Sequence, residues 1–159
     1  MRYNSIMTLT FKIKHYLLSA FRELFLYHHS SLEFRAKLFA ALISANEQKQ
    51  ECEYELVQKA GMAIYNNEDR ANSLKLTTIE FVKKAEADNG IALDDLIDNL
   101  IKDLKEVPRY AKKIDTSLLK PLIECHNDEE TRIYQMRIIE LFDRLKKEYG
   151  EKRKNNERK

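Results

Sequence analysis

The sequence predicts an all-α fold, a single-domain bundle of six to eight helices, and three observations carry that prediction. Only three glycines (61, 90 and 150) and two prolines (108 and 121) interrupt 159 residues. Leu, Ile, Ala, Glu and Lys dominate, the composition of helix-forming chains. Apolar residues recur at three- and four-residue intervals along most of the length, while strand signals are nearly absent. A chain of this size encloses a hydrophobic core without help from disulfides or a structural metal.

The elements follow in order. Ile6, Leu9, Ile13, Tyr16, Leu17, Ala20, Phe21, Leu24 and Phe25 share one face of a helix running to about His28, with charges opposite. Ser30 or Ser31 then starts a second helix carrying Leu38, Phe39, Leu42 and Ile43 to about Ala45. A polar turn leads to a third helix with Tyr54, Val57, Gly61 and Ile64 on its face, ending at the predicted loop "YNNEDRANS". The fourth runs from about Ala71 to Glu86, stopped by "ADNG". The fifth carries the clearest stripe, Leu93, Leu96, Ile97, Leu100, Ile101 and Leu104, and ends before Pro108. Between Arg109 and Cys125, Pro121 predicts one kinked helix or two short ones, with Asp115, Thr116 or Ser117 as a start. The last helix spans about Asp128 to Tyr149, with Tyr134, Ile138, Leu141, Phe142, Leu145 and Tyr149 facing the core, and Asn127 as its cap. The domain layout is therefore an amphipathic helix over 1–31, a helical domain over 32–149, and a charged disordered tail or linker over 150–159.

The net charge of +2 is unevenly spread, with basic ends and a middle of about −5. That balance disfavours a general nucleic-acid binder. Lys12, Lys14 and Arg22 on the first helix, and Lys152, Arg153 and Lys154 in the tail, form the candidate surface for an anionic membrane or a partner. Charges throughout the first apolar segment exclude a signal-peptide pattern and a transmembrane span. Cys52 and Cys125 are too few for a disulfide framework and read as small apolar residues in a reducing compartment. The expected location is cytoplasmic, at most peripheral to the inner membrane.

The densest cluster of ligand-type side chains is "IECHNDEETR", 123–132. Adjacent Cys125 and His126 diverge on a helix, which argues against zinc, and leaves Asp128, Glu129 and Glu130 as weak candidates for a hard cation. Negative charge in the first turn of a helix explains the same residues without a metal. The His28–His29 pair points in two directions, and Asp94, Asp95 and Asp98 lie opposite an apolar stripe as a solvated face. With no phosphate loop, no His-Glu-x-x-His and no nucleophile elbow, no catalytic residue, cofactor or enzymatic activity is expected.

A shift of 80 residues sets Leu38 beside Leu118, Phe39 beside Leu119, Leu42 and Ile43 beside Leu122 and Ile123, and Tyr54 beside Tyr134. Each copy reads as an apolar helix, a short polar turn, and a second apolar helix with an acidic start, an internal pseudo-repeat. In this arrangement, clearest over "LDDLIDNLIKDLKEVPRYAKKIDTSLLKPLIECHNDEETRIYQMRIIELFDRL", the chain resembles the TerB-like all-α domain. That domain occurs in tellurite-resistance protein B and at the N-terminus of DjlA-type co-chaperones. The resemblance covers about Leu32 to Tyr149 and implies a non-catalytic module acting in stress response or on chaperone partners. The chain departs from the family where Asn46 and His126 stand at the Asp positions of the turns, and where Ile133 replaces the second Glu, Glu53 keeping the first. These departures count against a carried-over metal role. The His-Pro-Asp motif of a J-domain does not occur in the sequence. The expected function is a helical protein-interaction module. The alternative is a small peripheral membrane or nucleic-acid-associated protein that uses the basic N-terminal helix and tail.

Overall fold

The computed structural model describes residues 30–46, 51–87 and 92–158, which from Leu32 onward form one compact unit. The predicted first helix, with Lys12, Lys14 and Arg22, and the His28–His29 pair lie outside the described residues. Those described are all-α, with no strand among them. In chain order they are α1 (Ser30–Ser44), α2 (Glu51–Tyr65), α3 (Glu68–Ala87), α4 (Ala92–Glu106), a 3-10 helix (Pro108–Lys113), α5 (Thr116–Leu119), a second 3-10 helix (Lys120–Cys125) and α6 (Glu129–Glu157).

The centre of the bundle is α1. Leu32, Phe34, Ala36, Leu38, Phe39, Ala40, Ala41, Leu42 and Ile43 are all buried, so this helix is apolar around most of its circumference, the pattern of an element enclosed by others. Val57 of α2, Leu74 and Val82 of α3, Leu96, Leu100 and Leu104 of α4, Leu119 of α5, Leu122 of the second 3-10 helix, and Ile138, Ile139, Phe142, Leu145 and Tyr149 of α6 pack around it. Phe34 stacks on Tyr110 with ring centroids 5.1 Å apart, which fixes the first 3-10 helix against α1.

The connection between α2 and α3 is tighter than the sequence suggests. Asn66 takes a left-handed conformation (φ 48°) and donates its amide to Met62 O at 2.9 Å, closing α2. The Asn67 side chain accepts the Arg70 amide at 2.9 Å and caps α3, which therefore begins at Glu68 instead of about Ala71. At the crossing, a Cβ on Gly61 would lie 2.7 Å from Ala71 Cα. Two helix backbones approach so closely there only because residue 61 has no side chain.

Both prolines occupy the first turns of 3-10 helices, where their missing N–H leaves no bond unmade. The predicted kinked stretch is thus resolved into three short pieces. Asp115 caps α5 by accepting the Ser117 amide at 3.1 Å.

Two expectations about α6 are corrected. Its cap is Asp128, whose carboxylate accepts the Thr131 amide at 3.0 Å and the Thr131 hydroxyl at 2.7 Å; Asn127 lies one residue too early for that reach. The helix also continues to Glu157, through the segment expected to be a disordered tail. Gly150 does not stop it, and Glu148–Lys152 at 2.8 Å and Arg153–Glu157 at 2.7 Å supply pairs one turn apart along the added turns.

Candidate functional site

Glu53 lies in the first turn of α2 and is fully buried. A carboxylate in that position gains from the positive end of the helix dipole, yet burial of a charge is costly unless hydrogen-bond donors surround it. Three donors from three other segments converge on Oε1: Asn46 Nδ2 at 2.9 Å, Gln135 Nε2 at 3.0 Å and His126 Nε2 at 2.5 Å. Asn46 follows the end of α1, His126 follows the second 3-10 helix, and Gln135 is in the second turn of α6. All are buried. Gln135 Nε2 also reaches Leu42 O at 3.2 Å, so its amide links the cluster to the central helix.

The hydrogen-bond network assigns the proton on His126. With Nε2 at 2.5 Å from a carboxylate oxygen, Nε2–H donates to Glu53. Asn46 Nδ2 also sits 2.9 Å from Nε2; the two nitrogens are neighbours because both address the same oxygen. The hydrogen bonds to Glu53 Oε1 thus hold four segments together.

Beside this cluster Cys52 and Cys125 form a disulfide, with Cα atoms 5.8 Å apart. The expectation of two unpaired thiols is thereby corrected, and the inference of a reducing compartment loses its footing. Consecutive residues 52–53 and 125–126 make two parallel ties, one covalent and one charge-assisted, between the start of α2 and the end of the second 3-10 helix. Local sequence could not show this, because the two cysteines are 73 residues apart.

An open groove of about 990 Å³ adjoins the cluster. It is lined by Asn46, Cys125 and His126, by the cap residue Asp128, and by Glu130, Thr131, Ile133, Tyr134 and Arg137 from the start of α6. Ile133 and Tyr134 are about half exposed, as is Met136 nearby, at 50%, 47% and 50%. The sequence reading placed Tyr134 on the core face. Its neighbour Gln135 takes that position, since 135, 138, 142, 145 and 149 share the stripe that α6 buries. That register was the signal for Gln135, a polar residue on an otherwise apolar stripe.

The candidate cation ligands Asp128, Glu129 and Glu130 are exposed. Asp128 is occupied in capping, and Thr131, through its side chain and then its amide, holds the Asp128 carboxyl below its ordinary range, with His126 a smaller influence. Among the described residues no group of three or more His, Cys, Asp or Glu side chains is disposed to hold a metal ion. Of the basic tail residues, Lys152 and Arg153 pair within α6, and Lys154 is exposed. No described helix is long and apolar enough to cross a membrane.

The 80-residue echo gains a spatial meaning: Asn46 and His126, equivalent in the two copies, touch each other and the same carboxylate. Comparison of the chain with family models, with curated proteins and with solved structures finds no match.

Proposed function

We propose that this chain is a non-catalytic protein-interaction module with TerB-like helical organisation, and that the groove beside Asn46 and His126 receives a segment of a partner protein. The observation that carries this reading is the placing of Ile133 and Tyr134, large apolar side chains about half exposed, at a groove whose buried polar groups are turned toward Glu53. A partner's apolar side chain removes Ile133 and Tyr134 from water, while Arg137, Asp128 and Glu130 at the groove supply polar contacts. The meeting of Asn46 with His126 supports the pseudo-repeat behind the TerB-like reading. Action in stress response or beside a chaperone is the narrower version, and it rests on the resemblance alone. The peripheral-membrane or nucleic-acid reading is the alternative; of its candidate residues in the tail, Lys152 and Arg153 are paired with carboxylates.

The test places a photo-crosslinking amino acid at position 134, with Leu76, exposed on α3, as the control position. The expected result is one discrete adduct formed in cells from position 134 but not from position 76, and lost when Ile133→Glu is added. Equal labelling from both positions, or an adduct indifferent to Ile133→Glu in a folded protein, rejects the reading.

A further inference from the structure

On another part of the bundle, basic side chains from separate elements gather around one aromatic ring. Arg35 of α1 donates from Nη1 to the Tyr65 hydroxyl at 3.2 Å, and its guanidinium carbon lies 5.3 Å from the ring centre. Arg70 of α3 lies over the same ring at 4.2 Å. The stacking of Phe34 on Tyr110 packs against α1 the 3-10 helix that carries Arg109 and Lys113. The Lys113 ammonium is held below the usual lysine range by burial, then by Arg35, Arg109 and Arg70, in keeping with the packing of this 3-10 helix beside the two arginines at Tyr65. Glu68, Asp69 and Glu106 are close in sequence, yet among the described residues none of the four cations is in an ion pair with a carboxylate. Arg70 and Arg109 are exposed, whereas Arg35 and Lys113 are half-buried.

Like charges held close repel one another, and a bound anion relieves that repulsion. Fixing Arg35 against Tyr65 reduces the ordering that a bound anion would otherwise demand. A carboxylate supplies one charge and two oxygens; a phosphate monoester carries nearly two charges and three strong acceptor oxygens, the better match for several guanidinium forks. We propose that Arg35, Arg70, Arg109 and Lys113 form a binding site for a phosphate monoester.

The test is a titration of the full chain with inorganic phosphate at constant ionic strength, balanced by chloride and followed through backbone amide NMR shifts. Saturable shifts are expected at residues 35, 65, 70, 109 and 113, with acetate producing none. The double variant Arg70→Gln/Arg109→Gln alters only exposed side chains, and its fold is checked by circular dichroism. It is expected to bind phosphate at least about tenfold more weakly. Sedimentation with phosphatidylcholine vesicles, with and without a phosphate-monoester lipid, identifies the source. Lipid-dependent binding displaced by inorganic phosphate indicates a headgroup, whereas phosphate binding without sedimentation indicates a soluble phosphate compound. The proposal is overturned by the absence of saturable shifts, by a folded double variant that binds like the parent, or by vesicle binding that inorganic phosphate does not displace.

Discussion

Glu53 is the residue whose environment departs most from what its type prefers. Glu53→Gln keeps the shape and an oxygen acceptor but removes the negative charge on which three donors converge. Breaking a buried charge-assisted cluster in this way is expected to cost about 3 kcal/mol, read as a lower midpoint in urea denaturation. His126→Ala is expected to lose a similar amount, and the double variant less than the sum, because both remove the same contact. Asp128 makes a prediction about pH. Its carboxyl lies below the ordinary 3.8 through its bonds to Thr131, so the unfolded chain takes up the proton at higher pH than the folded one. Its contribution to stability is therefore complete above about pH 4 to 5 and is lost as pH falls through the folded value. Thermal unfolding followed from pH 6 to pH 2 should show this loss in the parent and a smaller one in Asp128→Asn. The acidic cluster of the sequence thus divides at this scale: Asp128 belongs to the helix cap, while Glu53, distant in sequence, belongs to the buried site.

Two glycines at the scale of the helices make opposite predictions. Gly61→Ala forces a Cβ to within 2.7 Å of Ala71 Cα, which only separation of α2 from α3 relieves, and a loss of roughly 1–3 kcal/mol is expected. Gly150→Ala meets no atom within 4 Å and lies inside α6, so a gain of about 0.5–1 kcal/mol is expected. Chemical denaturation of both variants checks the signs; a neutral Gly150→Ala would return residues beyond Tyr149 to the tail that the composition suggests. Helix periods in α4 and α1 were legible because each residue's side of the helix follows from spacing alone. The end of α6 was not: its last turns contain no apolar residue, and their helicity depends on continuation from a docked helix and on pairs such as Glu148–Lys152.

For the molecule as a whole, the Cys52–Cys125 bond closes a long loop that spans α2 to the second 3-10 helix. On the chain-entropy account such a closure contributes about 4 kcal/mol, chiefly by restricting the unfolded chain. Unfolding of the parent with and without a dithiol reductant, beside Cys52→Ser/Cys125→Ser, should show a fall of that order in the reduced parent and no effect of reductant on the variant. The sequence by itself determined the all-α class, the order of the helices, most of the core positions and the suspicion of a repeat, because helical periodicity and proline or glycine punctuation are local properties. Only the tertiary structure decided that Asn46, Glu53, His126 and Gln135 meet, that the two cysteines join, and that Arg35 and Arg70 share the Tyr65 ring. Such meetings depend on the packing of distant helices, whose relative rotation and approach no single segment encodes.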